Sequence, residues 1–218
     1  MNEAAVASLI EYTALAVDVT SAQVSNLCRE SLAQGFAAVC VNPIYVTLAS
    51  SLLESSRTSV GTVIGYPLGA LTTRQKVYET ATSLEEGALE IDLTLNVALL
   101  HAGDKVQVRQ EILSIAQVLS RNPLAILKVI LETSLLGDAH LKLATQLAIE
   151  GGAHYVVAAR NYGSAAPSSV EVAVLRSAAR QLIGVKVSGV TTAAQAAEFV
   201  AAGVARLGSS DPLPLLGR

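Results

Sequence analysis

Short runs rich in β-branched residues recur along the chain, each separated from the next by a stretch rich in Ala, Leu and Glu; this alternation most constrains the fold. Strands alternating with helical stretches read as βα units built on a parallel sheet. The pattern predicts strands over 9–15, 37–42, 59–64, 89–95, 125–131, 154–158, 183–187 and 205–207. Helical segments are predicted between them, such as 21–34, 73–86, 105–120, 138–150 and 193–202. Gly35, Gly87 and Gly203 follow three of these helices and suit C-terminal caps. The junction of helix, glycine, small residue and strand repeats as QGFAAV, EGALEI, GGAHYV and AGVARL. Eight strands with one helix each close into a (β/α)8 TIM barrel. The 218 residues stand near the lower end for that fold, about 200. No linker or low-complexity tract interrupts them, so one domain is expected over 1–218.

Three charges break the apolar strand runs. Asp92 has the parity opposite to Ile91 and Leu93, Lys128 sits among Ile126, Leu127, Val129 and Ile130, and Lys186 lies between Val185 and Val187. A charge inside such a run is costly to bury without a partner. A single strand-end lysine reads simply as a side chain reaching for solvent. Three charges within one barrel instead point to convergence on one polar site, which this fold places at the C-terminal ends of its strands.

The remaining composition narrows the classes of function. Net charge is −3 and no Lys/Arg run stands out, which argues against a nucleic-acid partner. Only 15% of residues are charged, below the roughly 25% of ordinary domains. That reads either as a plain surface over an Ala-, Leu- and Val-rich core or, the reading favoured, as a homo-oligomer or a subunit whose surface is covered in a complex. Cys28 and Cys40 are the only cysteines and form no metal signature. His101, His140 and His154 have no ligand spacing, so neither a metal nor another cofactor is expected. The N-terminus lacks the basic segment of a signal peptide, and no apolar run reaches a membrane span. A cytoplasmic protein is expected, bound neither to membrane nor to nucleic acid.

The motifs LIEYTAL (9–15), GFAAVCVNP (35–43), TVIGYPLGALTT (62–73), EIDLTLN (90–96), LKVILETSLL (127–136), GVKVSG (184–189) and RLGSS (206–210) occur in this order. With them the chain resembles the deoxyribose-phosphate aldolase family along nearly its whole length. Glu11 stands in place of the usual Asp, and Tyr12 in place of a common His. The resemblance implies retro-aldol cleavage of 2-deoxyribose 5-phosphate through an iminium on a sixth-strand lysine. A second lysine depresses the pKa of that amine so that part of it is neutral. On this resemblance Asp92 is the proton shuttle, Lys186 the tuning lysine and Lys128 the charge that places Asp92. It assigns substrate contacts to Cys40, Asn42, Thr133, Gly189, Gly208, Ser209 and Ser210, with a small phosphorylated sugar as the implied ligand. Cys40 also reads as a small buried hydrophobe, and Glu132 and Thr133 as loop polarity at the pocket mouth.

The sixth strand departs from the family. Its segment has the sense A-D-F-V-K-T-S-T-G-F, where this chain runs from Ala153 to Tyr162 as AHYVVAARNY. The nucleophile position falls on Val157, whose bland reading is an ordinary aliphatic of the barrel interior. The hydroxyl-rich phosphate loop becomes Ala158, Ala159, Arg160 and Asn161, and the family's double glycine becomes Gly189 then Val190. Asp211 follows Ser210 where a small neutral residue is usual; a carboxylate there repels phosphate, unless Arg160 offsets it. The favoured expectation is an aldolase homologue that has lost its reaction and serves as a binding, assembly or regulatory subunit. The alternative is an active C–C lyase whose amine has moved to Lys186 or Lys128.

Overall fold

The computed structural model describes residues 3–162 and 166–217. Eight parallel strands close a barrel in chain order: β1 (Ile10–Ala14), β2 (Ala38–Val41), β3 (Ser59–Ile64), β4 (Glu90–Thr94), β5 (Ile126–Glu132), β6 (Tyr155–Ala159), β7 (Gly184–Ser188) and β8 (Arg206–Ser209). Closure is made by β1 on β8, with Glu11 level with Gly208. Helices α1 (Glu3–Ala7), α2 (Ser21–Gln34), α3 (Val46–Leu52), α4 (Thr73–Glu85), α5 (Val97–His101), α6 (Lys105–Leu119), α7 (Asp138–Glu150), α8 (Ser169–Ala179) and α9 (Ala193–Ala201) complete the order. Among the described residues no helix is long and apolar enough to cross a membrane.

Period-two alternation divides each strand between two environments. Outward residues such as Ile91, Leu93, Leu127, Val129, Val185 and Val187 join the helices in one large apolar core. Inward residues are different. Cys40, Val63, Ile130, Val157 and Ala159 form a separate apolar cluster inside the barrel, with Leu15 and Tyr66 packed against it. The inward charges of β1, β4, β7 and β8, with Lys128 of β5, lie nearer the strand beginnings, while the buried Glu132 ends β5 at the mouth. The barrel interior therefore has an ionic floor and, toward the C-terminal ends, an apolar layer.

The expected strands meet the observed ones within one or two residues at each end. Gly35 caps α2 in the left-handed conformation, φ 70°, where a glycine carries no Cβ to clash, and its N–H donates to the Ser31 carbonyl. Gly87 and Gly203 also have positive φ, each one residue beyond the last capping position. The α8 helix, not named from periodicity, carries a capping box between Ser168 and Glu171 that a search for start signals would have found.

Among the described residues, a buried ion pair also lies outside the barrel. Lys76 of α4 donates to Glu111 of α6 at 2.7 Å and to the Thr94 carbonyl at 2.9 Å. Both side chains are almost wholly buried. Burial pulls the Lys76 ammonium below its ordinary value and pushes the Glu111 carboxyl up. In sequence each reads as a solvated helix face; only the packing of α4 on α6 encloses them.

Candidate functional site

Asp92, Lys128 and Lys186 converge. Asp92 on β4 is level with Lys128 on β5, so both side chains leave the sheet on the same side. Lys186 Nζ lies 2.6 Å from Asp92 Oδ2, and Lys128 Nζ lies 3.0 Å from Asp92 Oδ1. Two carboxylates and a guanidinium that the motifs did not single out complete the floor. Glu11 Oε2 accepts from Lys128 at 2.7 Å while its Oε1 accepts from Lys186. Glu90 Oε2 is 2.6 Å from Lys128 Nζ, and Glu90 Oε1 is 3.3 Å from Arg206 Nη2. The approaches of Lys128 to Glu90 and Asp92 are ion pairs without hydrogen-bond alignment. Three carboxylates thus face three cations, and the floor is neutral.

The electrostatics follow from that geometry. Burial alone would raise the Glu11 carboxyl, but the ammonium groups of Lys128 and Lys186 overcome it and bring the value from 4.5 to about 2. Burial opposes the charge of both lysines as well; Asp92 and Glu11 outweigh it and push both above the ordinary lysine value. A carboxyl lowered in the folded state stabilises the fold fully above its unfolded pKa and loses that contribution as pH falls. Glu11 should therefore contribute stability that is fully present above about pH 4.5 and lost as pH falls toward about 2. Urea melts of the parent and of Glu11→Gln over that window check this. The parent should lose stability more steeply, and parallel losses would contradict the assignment.

Val157 on β6 stands in register with Ile130 on one side and Lys186 on the other. Its neighbours in the interior cluster are apolar, and it is wholly buried. Cys40 belongs to the same cluster, and burial, reinforced by Asp92, holds its thiol well above the ordinary value. Glu11, Cys40 and Asp92 each place one donor atom within 4.8 Å of the others. Both carboxylates already neutralise Lys128 and Lys186, so a cation there would have to displace two ammonium groups.

The remaining expected contacts line the mouth, and most are engaged within the protein. Asn42 Nδ2 donates to the Ala16 carbonyl at 3.3 Å and ties down the loop after β1. Thr133 donates its N–H to Ala159 at 2.9 Å. Gly189, at φ 82°, and Val190 both donate their N–H groups to the Gly208 carbonyl, at 2.9 and 3.0 Å. Ser209 Oγ bonds the backbone of Asp211 in both directions. Ser210 is exposed and borders a cavity of about 370 Å³ between the end of β1 and α2. Arg160 does not turn to Asp211: its Nη2 contacts both oxygens of Glu171 at 2.9 Å. Burial would raise that carboxyl, but bonds from Ser168 and Arg160 hold it at about 2, a permanent anion at the start of α8. Across the mouth, Tyr66 Oη donates to Asn161 Oδ1 at 3.1 Å, and the Asn161 N–H donates to Glu132 at 2.7 Å.

Three residues of the floor, Glu11, Glu90 and Arg206, lie within the motifs but carry no site role in the sequence reading. Glu90 and Arg206 open their strands, where a charge passes for a solvated end. Parity was their available signal: Glu90 lies two residues before Asp92, and Arg206 is level with Lys186. Glu11 was visible only as a replacement for Asp.

The family model described as DeoC/LacD family aldolase matches residues 6–204. A deoxyribose-phosphate aldolase of Geobacillus sp. (strain WCH70) is 38% identical over 212 residues, covering 97% of this chain and 94% of its own. One from Clostridium kluyveri is 35% identical over 219 residues, with both chains covered in full. Among solved structures, the tetrameric deoxyribose phosphate aldolase of Aeropyrum pernix superposes with a TM-score of 0.91 at 31% identity. That match covers 99% of this chain and 91% of the other.

Proposed function

The chain belongs to the DeoC/LacD aldolase family, and from that premise we propose that it no longer performs retro-aldol cleavage of 2-deoxyribose 5-phosphate and serves as a binding, assembly or regulatory subunit. The observation that carries this reading is Val157, a side chain without a lone pair at the position the resemblance gives to the iminium-forming lysine. It lies between the strands of Lys128 and Lys186, where an amine would meet both. The eroded phosphate loops support the same reading: Arg160 is taken by Glu171, and Asp211 adds a negative charge beside Ser209 and Ser210.

A relocated amine is the weaker alternative. A nucleophilic lysine must be partly neutral near pH 7, whereas Lys128 and Lys186 each lie against two or more carboxylates that favour the charged form. Moving the nucleophile one strand also shifts its reach by about 5 Å, and a ~1 Å error can cost ~10²-fold in rate.

Incubation with deoxyribose 5-phosphate or acetaldehyde, reduction with borohydride and intact-mass analysis test the proposal. The parent should keep its mass. A stoichiometric adduct mapped to Lys128 or Lys186 would overturn the proposal in favour of relocation.

A further inference from the structure

We infer that Glu11, by bridging Lys128 and Lys186 across the barrel floor, is a second block on amine chemistry, independent of Val157. The inference rests on the reading that Val157 occupies the nucleophile's position, and it names a positioning residue that the reading alone does not supply.

One oxygen of Glu11 lies on each ammonium, Oε1 on Lys186 and Oε2 on Lys128. Asp92 spans the same two nitrogens from the opposite side of the barrel. Lys128, Glu11, Lys186 and Asp92 therefore form a closed ring of alternating charge. Glutamate has one methylene more than the aspartate the resemblance expects at this place. From β1 that extra length lets one carboxylate touch both amines.

The groups facing Lys186 are Glu11 from β1, Cys40 from β2, Asp92 from β4 and Lys128 from β5, with Arg206 level with it on β8. The neighbour in register on β6 is Val157, which brings no charge. A lysine pair tunes itself when the field of one ammonium disfavours protonation of the other. Here that field is cancelled, because the ring is neutral and Glu90 is divided between Lys128 and Arg206. Removing the charge of Glu11 leaves three cations against two carboxylates, and the excess is relieved by loss of a lysine proton. An amine restored at position 157 would thus stand beside a partner whose charge is already spent.

The reaction this blocks is imine formation. The neutral amine forms a C–N bond to the aldehyde carbon and passes one of its protons to the carbonyl oxygen; with a second proton from solvent that oxygen leaves as water, giving an iminium. Borohydride then delivers hydride to that carbon and fixes the adduct as a secondary amine.

Two measurements test the inference. In the native Val157 background, lysine Cε resonances are titrated by ¹³C NMR in the parent and in Glu11→Gln. Lys128 or Lys186 should titrate at least one pH unit lower in the variant, which is about tenfold more neutral amine at a given pH. Unchanged midpoints overturn the inference. Glu11→Asp keeps the charge and shortens the reach. It should show the same change to a smaller extent, and it decides the matter if the Gln variant does not fold. The second measurement compares acetaldehyde adducts at about pH 7 in Val157→Lys with and without Glu11→Gln. At least about tenfold more adduct is expected with the pair of substitutions. Equal yields overturn the role of Glu11. No adduct in either protein overturns the reading of Val157, and the titration alone then decides Glu11.

Discussion

Val157→Lys is expected to yield, at about pH 9, a borohydride-trapped acetaldehyde adduct at the introduced amine, where the parent yields none. The substitution places a lysine in register with Lys186 and one strand from Lys128, at the centre of the barrel. Its surroundings are the apolar cluster of Cys40, Val63, Ile130 and Ala159. Burial among such groups disfavours the ammonium form and lowers the pKa, as a nucleophilic amine requires. Asp92, to which the family resemblance gives the proton shuttle, stands on β4, and a positioned proton-transfer group typically contributes about 10²-fold or more. Cleavage of deoxyribose 5-phosphate should gain less than adduct formation does, because the phosphate-facing loops remain altered. The adduct is therefore the sharper measurement. A folded Val157→Lys protein that forms no adduct at any pH would show that the site is misassigned.

Lys128→Met should be the most destabilising single substitution in the barrel floor. Lys128 alone contacts three carboxylates, Glu11, Glu90 and Asp92. Without it, three anions share two cations in a space closed to water. Removing one partner from a buried ion pair costs about 3–5 kcal/mol, since the penalty falls on the charges left behind. For a domain of this size, each kcal/mol lowers Tm by about 2–4 °C, so a fall on the order of 10 °C is expected in a thermal melt. A Tm within about 2 °C of the parent would mean that water or rearrangement relieves the stranded carboxylates, and that the floor is not closed.

The barrel was legible because its signal is repeated: alternation of strand and helix needs no single residue to be right. The site was legible in part. Asp92, Lys128 and Lys186 stood out because each interrupts an apolar run, and a charge in such a place demands a partner. The identity of the partners was not readable. Nothing local to LIEYTAL says that Glu11 will meet Lys128 and Lys186, more than a hundred residues away; only closure of β1 on β8 brings them together. Arg160 failed as an expected offset to Asp211 for a similar reason. The start of α8 supplied a nearer carboxylate, Glu171, fixed by its own cap.

The neutral floor also bears on how such a chain can change over time. Its six charged side chains balance as a set, so a single loss strands a buried charge, whatever the protein does or no longer does. Exchanges that leave the balance intact are the ones a lineage can accept: paired removal of an acid and a base, or replacement of like by like. Val157 lay outside that constraint, because an aliphatic in the layer above upsets no charge. On the proposed reading, loss of the reaction needs only that one uncharged position, while the acids and bases of the floor are kept as ballast for the fold.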